Sequence, residues 1–175
     1  MRLIVLGVCM FAAACSGQSF DSVTSPTARP GGAATQPVTT APLPFQGSFT
    51  LASNGVVAFP ILTVTGTLEG VASQLGRFTA TTTEVVNMLT ATGSGTYVFT
   101  AANGDQLTAA VSGGEVSFTP PNLSTVELAG TIEGGTGRFA GATGTFSLGY
   151  TGAIDFATNS STGKGSFEGH ISLKK

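Results

Sequence analysis

Residues 97–111 read YVFTAANGDQLTAAV, and this stretch contains the strongest local indication of secondary structure in the chain. Apolar and polar side chains alternate on both sides of Asn103-Gly104, with the period of two that half-buried strands show. An Asn-Gly pair between two alternating runs is typical of a hairpin with a type I′ turn, because both residues accept positive φ angles. The stretch therefore predicts two antiparallel strands joined by a tight turn.

The same alternation continues through the rest of the chain from Phe45, without a helical stripe of useful length. It predicts eight or nine short strands, with Glu115 to Phe118 as a strand of its own and a break at Pro120-Pro121. Glycines inside the strands suit the strong coiling of a small closed barrel. We therefore predict an all-β fold, a small antiparallel eight-stranded barrel, over residues 45–175.

The N-terminus has the features of an export signal. Met1-Arg2 is followed by an apolar run from Leu3 to Ala14, which is too short to span a bilayer as a helix. Ala12-Ala13-Ala14-Cys15 resembles the lipobox of bacterial lipoproteins, in which the cysteine is lipidated and becomes the first residue. We expect residues 1–14 to be a signal peptide and Cys15 to carry a lipid, with ordinary cleavage and secretion as the alternative.

Residues 15–44 are rich in Pro, Thr, Ala and Ser and hold few large apolar side chains. Such a segment cannot bury enough surface to offset its chain entropy, so it predicts a disordered tether. The chain is then exported and held in the cell envelope, in contact with the membrane through Cys15. Ser16 after the cysteine fits sorting to an outer membrane if the cell has one.

Composition excludes several classes of function. Charged side chains make up 9% of the chain and the net charge is -2, so no basic surface is available to bind nucleic acid. His170 is the only histidine, and both cysteines, Cys9 and Cys15, precede the domain. We therefore expect no metal site, no cofactor, no disulfide and no catalytic constellation of the hydrolase type.

A short motif occurs twice in the predicted barrel. Gly66-Thr67-Leu68-Glu69-Gly70 is followed by Gly76-Arg77-Phe78, and Gly130-Thr131-Ile132-Glu133-Gly134 is followed by Gly137-Arg138-Phe139. We predict that glutamate and arginine form structural pairs, Glu69 with Arg77 and Glu133 with Arg138, with a ligand-facing polar cluster as the alternative. In both copies the phenylalanine is expected to re-enter the core, and Phe139 to plug one end of the barrel.

The glycine-rich stretch GGTGRFAGATG at residues 134–144 carries a family resemblance. Together with Leu75 to Phe78 and the hairpin Ala102 to Leu107, it resembles bacterial exported proteins with an allene oxide cyclase-like barrel, distantly similar to plant allene oxide cyclases and dirigent proteins. The resemblance implies an eight-stranded antiparallel barrel. The plant cyclases use a carboxylate and a held water inside the barrel, but their catalytic residues cannot be matched to positions in this chain.

These observations leave three hypotheses about function. The first is a non-enzymatic, envelope-anchored barrel that binds a small apolar ligand or a partner, because small barrels have room for one ligand. The second is an isomerase or cyclase, which requires an inward-facing acid, with candidates Glu69, Glu84, Glu127 and Glu168. The third is a surface adhesion or structural module that uses its threonine-rich outer faces. The oligomeric state stays open.

Overall fold

Eight antiparallel strands follow one another along residues 41–174, the part of the chain that the computed structural model describes. The predicted signal peptide, Cys15 and the tether as far as residue 40 lie outside the described residues. The strands are β1 (Leu43–Ala58), β2 (Ile61–Ala72), β3 (Gly76–Asn87), β4 (Thr92–Ala101), β5 (Gln106–Thr119), β6 (Leu123–Gly135), β7 (Thr143–Asp155) and β8 (Ser160–Ser172). Each strand pairs with the next and β8 pairs with β1, so the predicted closed eight-stranded barrel is confirmed.

The alternation of apolar and polar residues in the sequence determines which side chains face the barrel interior. On β3, Phe78, Ala80, Thr82, Glu84 and Val86 are buried, and the residues between them face outward. A strand sends successive side chains to opposite faces, so one face of each strand lines the barrel interior. The core is therefore the inside of the barrel.

The hairpin between β4 and β5 forms as predicted, but its turn differs from type I′. The Gly104 N–H donates to the Ala101 carbonyl at 2.9 Å, and the Ala101 N–H donates to the Asp105 carbonyl at 2.9 Å. Gly104 has φ +87°, whereas Asn103 does not have a positive φ. This is a three-residue loop in which glycine alone supplies the left-handed conformation. The Asn103 side chain accepts a hydrogen bond from the Asp105 N–H at 3.2 Å and favours this turn.

One predicted strand boundary is corrected. Residues 107–111 and 115–118 belong to a single strand, β5, which is interrupted by a shift in register to β6 between Ser112 and Glu115. Gly113 has φ +66° in this bulge. The extra residue bends the strand without ending it, which explains why the glycine pair looks like a turn in the sequence. The break at Pro120-Pro121 occurs as predicted, between β5 and β6.

The up-and-down order gives the barrel two distinct ends. The connections β2–β3, β4–β5 and β6–β7 lie at the end where the chain enters β1 at Leu43, and we call this the closed end. The connections β1–β2, β3–β4, β5–β6 and β7–β8 lie at the opposite end, which we call the open end. Among the described residues there is no helix long and apolar enough to cross a bilayer.

Side chains fill the closed end. A short 3-10 helix, Gly137–Phe139, inserts Phe139, which is fully buried as predicted. Beneath it six phenylalanine rings pack with centroid separations between 4.7 and 6.4 Å, mostly edge to face, as aromatic pairs prefer. These are Phe45, Phe49, Phe78, Phe99, Phe146 and Phe167. The aromatic layer leaves no room for a ligand at this end.

Candidate functional site at the open end

The inward-facing carboxyl group of Glu84 marks the boundary between the aromatic layer and the open end. Glu84 lies on β3 between Thr82 and Val86 and is 2% exposed. A buried carboxyl group is costly unless it is hydrogen-bonded, so its partners determine whether it is tolerated. It is the only buried charged side chain among the residues described.

Both oxygens of the Glu84 carboxylate accept hydrogen bonds from tyrosine. The Tyr97 hydroxyl, from β4, donates to Oε1. The Tyr150 hydroxyl, from β7, donates to Oε2 at 3.1 Å, and Thr82 donates a longer bond to Oε1 at 3.4 Å. Within residues 41–174 no buried side-chain nitrogen or oxygen lacks a partner. We call Thr82, Glu84, Tyr97 and Tyr150 the polar cluster.

The surroundings hold both tyrosines in the neutral, donating form. Burial raises the pKa of Tyr97 well above its ordinary value, and the nearby Glu84 carboxylate raises it further. Burial and then the charge of Glu84 also raise the pKa of Tyr150. Because ionisation would place a second negative charge beside Glu84 in a buried site, both phenols keep their protons.

A cavity of about 170 Å³ lies directly above the polar cluster at the open end. Val86, the next inward residue after Glu84 on β3, and Tyr150 both line it, so these two residues connect the cluster to the cavity. Most of the remaining wall is aliphatic, with Leu62, Val64, Val116, Val126 and Ile154, and it includes the hydroxyl groups of Ser53, Ser124, Ser160 and Ser161. Tyr150 therefore lies at the base of a chamber whose wall is mostly aliphatic and contains a few serine residues.

The size of the cavity limits what it can hold. Apolar protein cavities of roughly 150 Å³ stay dry and take up benzene or xenon. The chamber at the open end is of this size, so it fits a molecule of about one ring, or the end of a longer chain that emerges through the mouth. A larger depression on the outer wall, about 960 Å³, is lined mainly by small and polar side chains and is open to solvent.

Exposed apolar side chains surround the mouth of this cavity. Eight of the ten large apolar side chains that are exposed in the barrel lie in the open-end connections or at the strand ends beside them. Val85 faces outward on β3, two residues before that strand ends, and Val71 lies near the closed end. We call the eight residues the apolar rim: Val56, Val57, Phe59, Met88, Leu89, Phe118, Leu123 and Phe156. Four of them, Val57, Met88, Phe118 and Phe156, also line the cavity, so the rim and the chamber are continuous.

The predicted glutamate–arginine pairs are not formed. Arg138 instead lies near Asp105, with Nε 4.0 Å from Oδ2, and no other ion pair occurs in the described barrel. Glu69, Arg77, Glu133 and Arg138 are all exposed. The Arg138 backbone N–H also donates to Asp105 Oδ2, at 3.2 Å. The 3-10 helix carries Arg138 towards the β4–β5 loop and away from β6, which explains the change of partner.

Of the four candidate acids, only Glu84 faces inward. Glu69, Glu127 and Glu168 are exposed on the outer wall, as is His170. In the described part of the chain, no group of three His, Cys, Asp or Glu side chains is placed to hold a metal ion. The polar cluster is thus the only group of buried ionisable side chains within residues 41–174.

The alternation of inward and outward residues on β3 and β4 indicates part of this cluster. Glu84 shares the phase of Phe78 and Ala80 on β3, and Tyr97 shares the phase of Phe99 on β4, so all are expected on the interior face. Extending the alternation through the polar residues predicts that Glu84 and Tyr97 are both inside. Nothing in the sequence indicates that Tyr150, which lies 66 residues after Glu84, completes the cluster.

Comparison with known proteins gave no relative: no family model, curated protein or solved structure matches this chain. A functional assignment must therefore come from the geometry of the barrel.

Proposed function

We propose that this chain is an exported lipoprotein, anchored through Cys15, whose barrel binds a small apolar molecule at its open end. One observation carries the proposal: a mostly apolar cavity, open through a mouth, lies at the end of the barrel that is not plugged. Binding sites for small molecules are typically apolar chambers with a few polar groups, and the mouths of β-barrels are a common place for them.

The shape of the site favours a ligand with an apolar body and at most one polar end. Aliphatic side chains would contact the body of the ligand, and the Tyr150 hydroxyl, which already donates to Glu84, would accept a hydrogen bond at the base. An anionic ligand is disfavoured because the chamber offers no cation and the Glu84 carboxylate lies beneath it. A cationic ligand is disfavoured because the mostly aliphatic wall cannot replace the water that the ligand would lose. The ligand class we propose is a small neutral apolar molecule, or the neutral apolar end of a larger one.

The anchor part of the proposal is supported by the lipobox-like segment and is tested separately. We expect the mature chain to begin at Cys15 and to carry fatty acyl groups, detected as added mass on its N-terminal peptide. We also expect the native chain to enter the detergent phase when a detergent extract is separated into two phases. The variant Cys15→Ser should lose both the added mass and this partition. A mature N-terminus without added mass, whether at Cys15 or later, would contradict the anchor.

Ligand binding is tested by native mass spectrometry of the full chain isolated from its own envelope. We expect a non-covalent adduct of a small apolar compound that is released on activation in the gas phase. Val126→Phe, which places a ring in the cavity, should reduce the adduct about tenfold or more, because the ring occupies the space that the ligand needs. Val85→Phe is the matched control, because Val85 faces outward on the strand that carries Glu84.

Two results would contradict ligand binding at this site. The first is a bare chain of the same mass in every preparation, including preparations incubated with small neutral apolar probes such as benzene derivatives. The second is an adduct that the Val126→Phe and Val85→Phe variants retain equally, since this would place the compound outside the cavity.

A second candidate function is isomerase or cyclase activity of the allene oxide cyclase type. The observation that favours it is the buried Glu84 carboxyl group, because this activity requires an acid inside the barrel. Tyr150 lines the cavity and is bonded to Glu84, so a proton can pass between the ligand and the carboxylate through its hydroxyl.

The two functions are separated by the variant Glu84→Gln, with cyclisation of an allene oxide as the assay. If the barrel is an enzyme, the reaction proceeds faster with the protein than without it, and Glu84→Gln removes the acceleration while the apolar adduct is retained. If the rate with the native chain equals the spontaneous rate, the cyclase hypothesis is wrong and the binding function stands alone.

A further inference from the structure

We propose that the apolar rim is a docking surface for a lipid bilayer, so that the open end of the barrel lies on the membrane surface. The observation is the ring of eight exposed apolar side chains, which come from three of the four connections at this end and from the strand ends beside them. The three rim phenylalanines are exposed by 71% (Phe59), 53% (Phe118) and 66% (Phe156).

The size of this patch requires an explanation. The three phenylalanines alone expose on the order of 300–400 Å², if a phenylalanine side chain offers about 200 Å². Adding Val56, Val57, Met88, Leu89 and Leu123 takes the rim beyond the roughly 300–600 Å² of the largest patch on a typical monomer. Patches of this kind mark contact with another apolar surface.

The absence of charge at the rim favours lipid over a protein partner. The four open-end connections, residues 59–60, 88–91, 120–122 and 156–159, contain no Lys, Arg, Asp or Glu. Asp155, the last residue of β7, is the charged side chain next to them. Protein interfaces usually have a polar periphery that fixes orientation, whereas entry into the headgroup region requires apolar tips free of charge.

Backbone hydrogen bonds at the open end supply independent support. The Met88 N–H donates to the Pro60 carbonyl at 2.9 Å, and the Ile154 N–H donates to the Asn122 carbonyl at 2.8 Å. The Val116 N–H donates to the Ala91 carbonyl and the Gly55 N–H to the Asn159 carbonyl, so all four connections are tied to the structure around them. The connections at residues 59–60 and 120–122 also contain prolines, which have no N–H to satisfy. These features reduce the number of backbone groups that would lose water on entering lipid.

The length of chain before the barrel allows this orientation. The chain enters at the closed end, at Leu43, and the roughly 27 residues between Cys15 and Leu43 can extend to at most about 90 Å. A strand of about 12 residues tilted by about 40° gives a barrel roughly 30 Å tall. The segment is therefore long enough to run past the barrel, so an anchor at Cys15 and the open end can meet the same membrane. This step alone rests on the proposed anchor.

Docking would connect the cavity with the bilayer. Because Val57, Met88, Phe118 and Phe156 belong both to the rim and to the wall of the cavity, a docked mouth opens towards the acyl region. A molecule dissolved in the membrane could then enter the chamber without crossing water.

The test uses tryptophan fluorescence, because the chain contains no tryptophan of its own. Phe59→Trp and Phe156→Trp each place one reporter in the rim, and Val71→Trp, at a 58% exposed site near the closed end of the outer wall, is the control. Each full-length chain is reconstituted with phosphatidylcholine vesicles, with and without bromine on the acyl chains. Circular dichroism confirms that each variant folds.

We expect brominated lipid to lower the emission of both rim reporters by about twofold or more, because docked apolar groups lie roughly 5–10 Å into the interface. The Val71→Trp control should change by less than about a tenth, because it faces away from the docked end. Equal quenching at the rim and at Val71, or quenching at neither, would overturn the proposal.

A second copy of the chain is the competing occupant of the rim, and the same variants detect it. A blue shift of the rim emission that appears in buffer without lipid and grows with protein concentration would show self-association and overturn membrane docking. The readout does not depend on a ligand in the cavity, so failure of the docking proposal and failure of the binding function are distinguishable.

Discussion

The two ends of the barrel differ in what fills them. At the closed end Phe139 and six further phenylalanines occupy the interior, and the connections carry charged residues, Asp105 and Arg138. At the open end the interior holds a cavity of about 170 Å³, and the connections carry apolar side chains and no charge. The polar cluster lies between these two regions.

On the proposed function, this difference separates stability from ligand binding within one fold. Burial of aromatic side chains stabilises the barrel and needs a filled interior, whereas binding needs space that burial would remove. Concentrating the large rings at one end allows the same eight strands to serve both requirements. Glu84 supports this division, because a purely structural core would have no need of a buried carboxyl group.

Truncation of core aromatics should produce the largest effect and should be confined to the closed end. Phe99 is fully buried and contacts several other rings, so Phe99→Ala should lower the free energy of unfolding by about 3–5 kcal/mol. Phe156→Ala, at a 66% exposed rim position, should change it by less than about 0.5 kcal/mol. Urea unfolding measures both, and similar losses at the two positions would refute the division between the ends.

Removal of the acid from the polar cluster should produce the next largest effect. Glu84→Leu leaves the hydroxyls of Tyr97 and Tyr150 buried without their acceptor, at a cost of roughly 1–3 kcal/mol for each hydroxyl. The triple variant Glu84→Leu/Tyr97→Phe/Tyr150→Phe removes both unpaired tyrosine hydroxyls, leaves the Thr82 hydroxyl, and should recover most of the lost stability. If the triple variant is less stable than Glu84→Leu in urea unfolding, the cluster is a structural device and the functional reading of Glu84 is wrong.

An alkaline titration tests whether the two tyrosine hydroxyls of the polar cluster are buried. The chain has two tyrosines, Tyr97 and Tyr150, and the folded barrel raises the pKa of both. Their contribution to stability is complete below the ordinary tyrosine pKa of about 10 and is lost as the pH rises above it, because the unfolded chain releases these protons first. Tyrosinate absorbance should therefore rise together with the loss of the strand signal in circular dichroism. A rise near pH 10 in the folded protein would show that the hydroxyls are not buried.

The smallest effect is expected at the surface of the closed end. The Asn103 side chain and the Arg138 backbone N–H hold the pKa of Asp105 below its ordinary value. A carboxyl group with a lowered pKa stabilises the fold above the ordinary value of about 3.9, and this contribution disappears as the pH falls through the lowered one. The midpoints of unfolding of the native chain and of the Asp105→Asn variant should therefore converge as the pH drops below about 4. A gap that stays constant down to pH 2 would contradict the lowered pKa.

The sequence predicted the fold because alternation and turn residues act locally. The period of two in β3 and β4, the glycine-rich turns and the proline pair were sufficient to place eight antiparallel strands in a closed barrel. The prediction was wrong where one local pattern fits two structures. Gly113-Gly114 lies in a bulge within β5 and does not separate two strands, and Asn103-Gly104 belongs to a three-residue loop instead of a type I′ turn. Both features are decided by pairing with neighbouring strands.

The site was predictable only in part, because it depends on contacts between distant strands. Inward placement of Glu84 follows from its phase on β3, but its bond to Tyr150 depends on closure of the barrel. The pairing of Arg138 with Asp105 depends likewise on how the 3-10 helix approaches the β4–β5 loop. The motif that suggested Glu133 as the partner runs from β6 into the 3-10 helix, and its sequence does not indicate which neighbouring loop the helix contacts.

The proposed ligand binding depends on a cavity at the open end, above the polar cluster, that is preformed, mostly apolar and free of water. Xenon binds to apolar cavities of this size and not to hydrated or filled ones, so crystals of the chain under xenon pressure provide the decisive measurement. We predict a xenon peak between Val86, Val126 and Tyr150, and no peak within the aromatic layer of the closed end. Ordered water in the chamber, or collapse of Val86 and Val126 onto each other without xenon, would contradict the account.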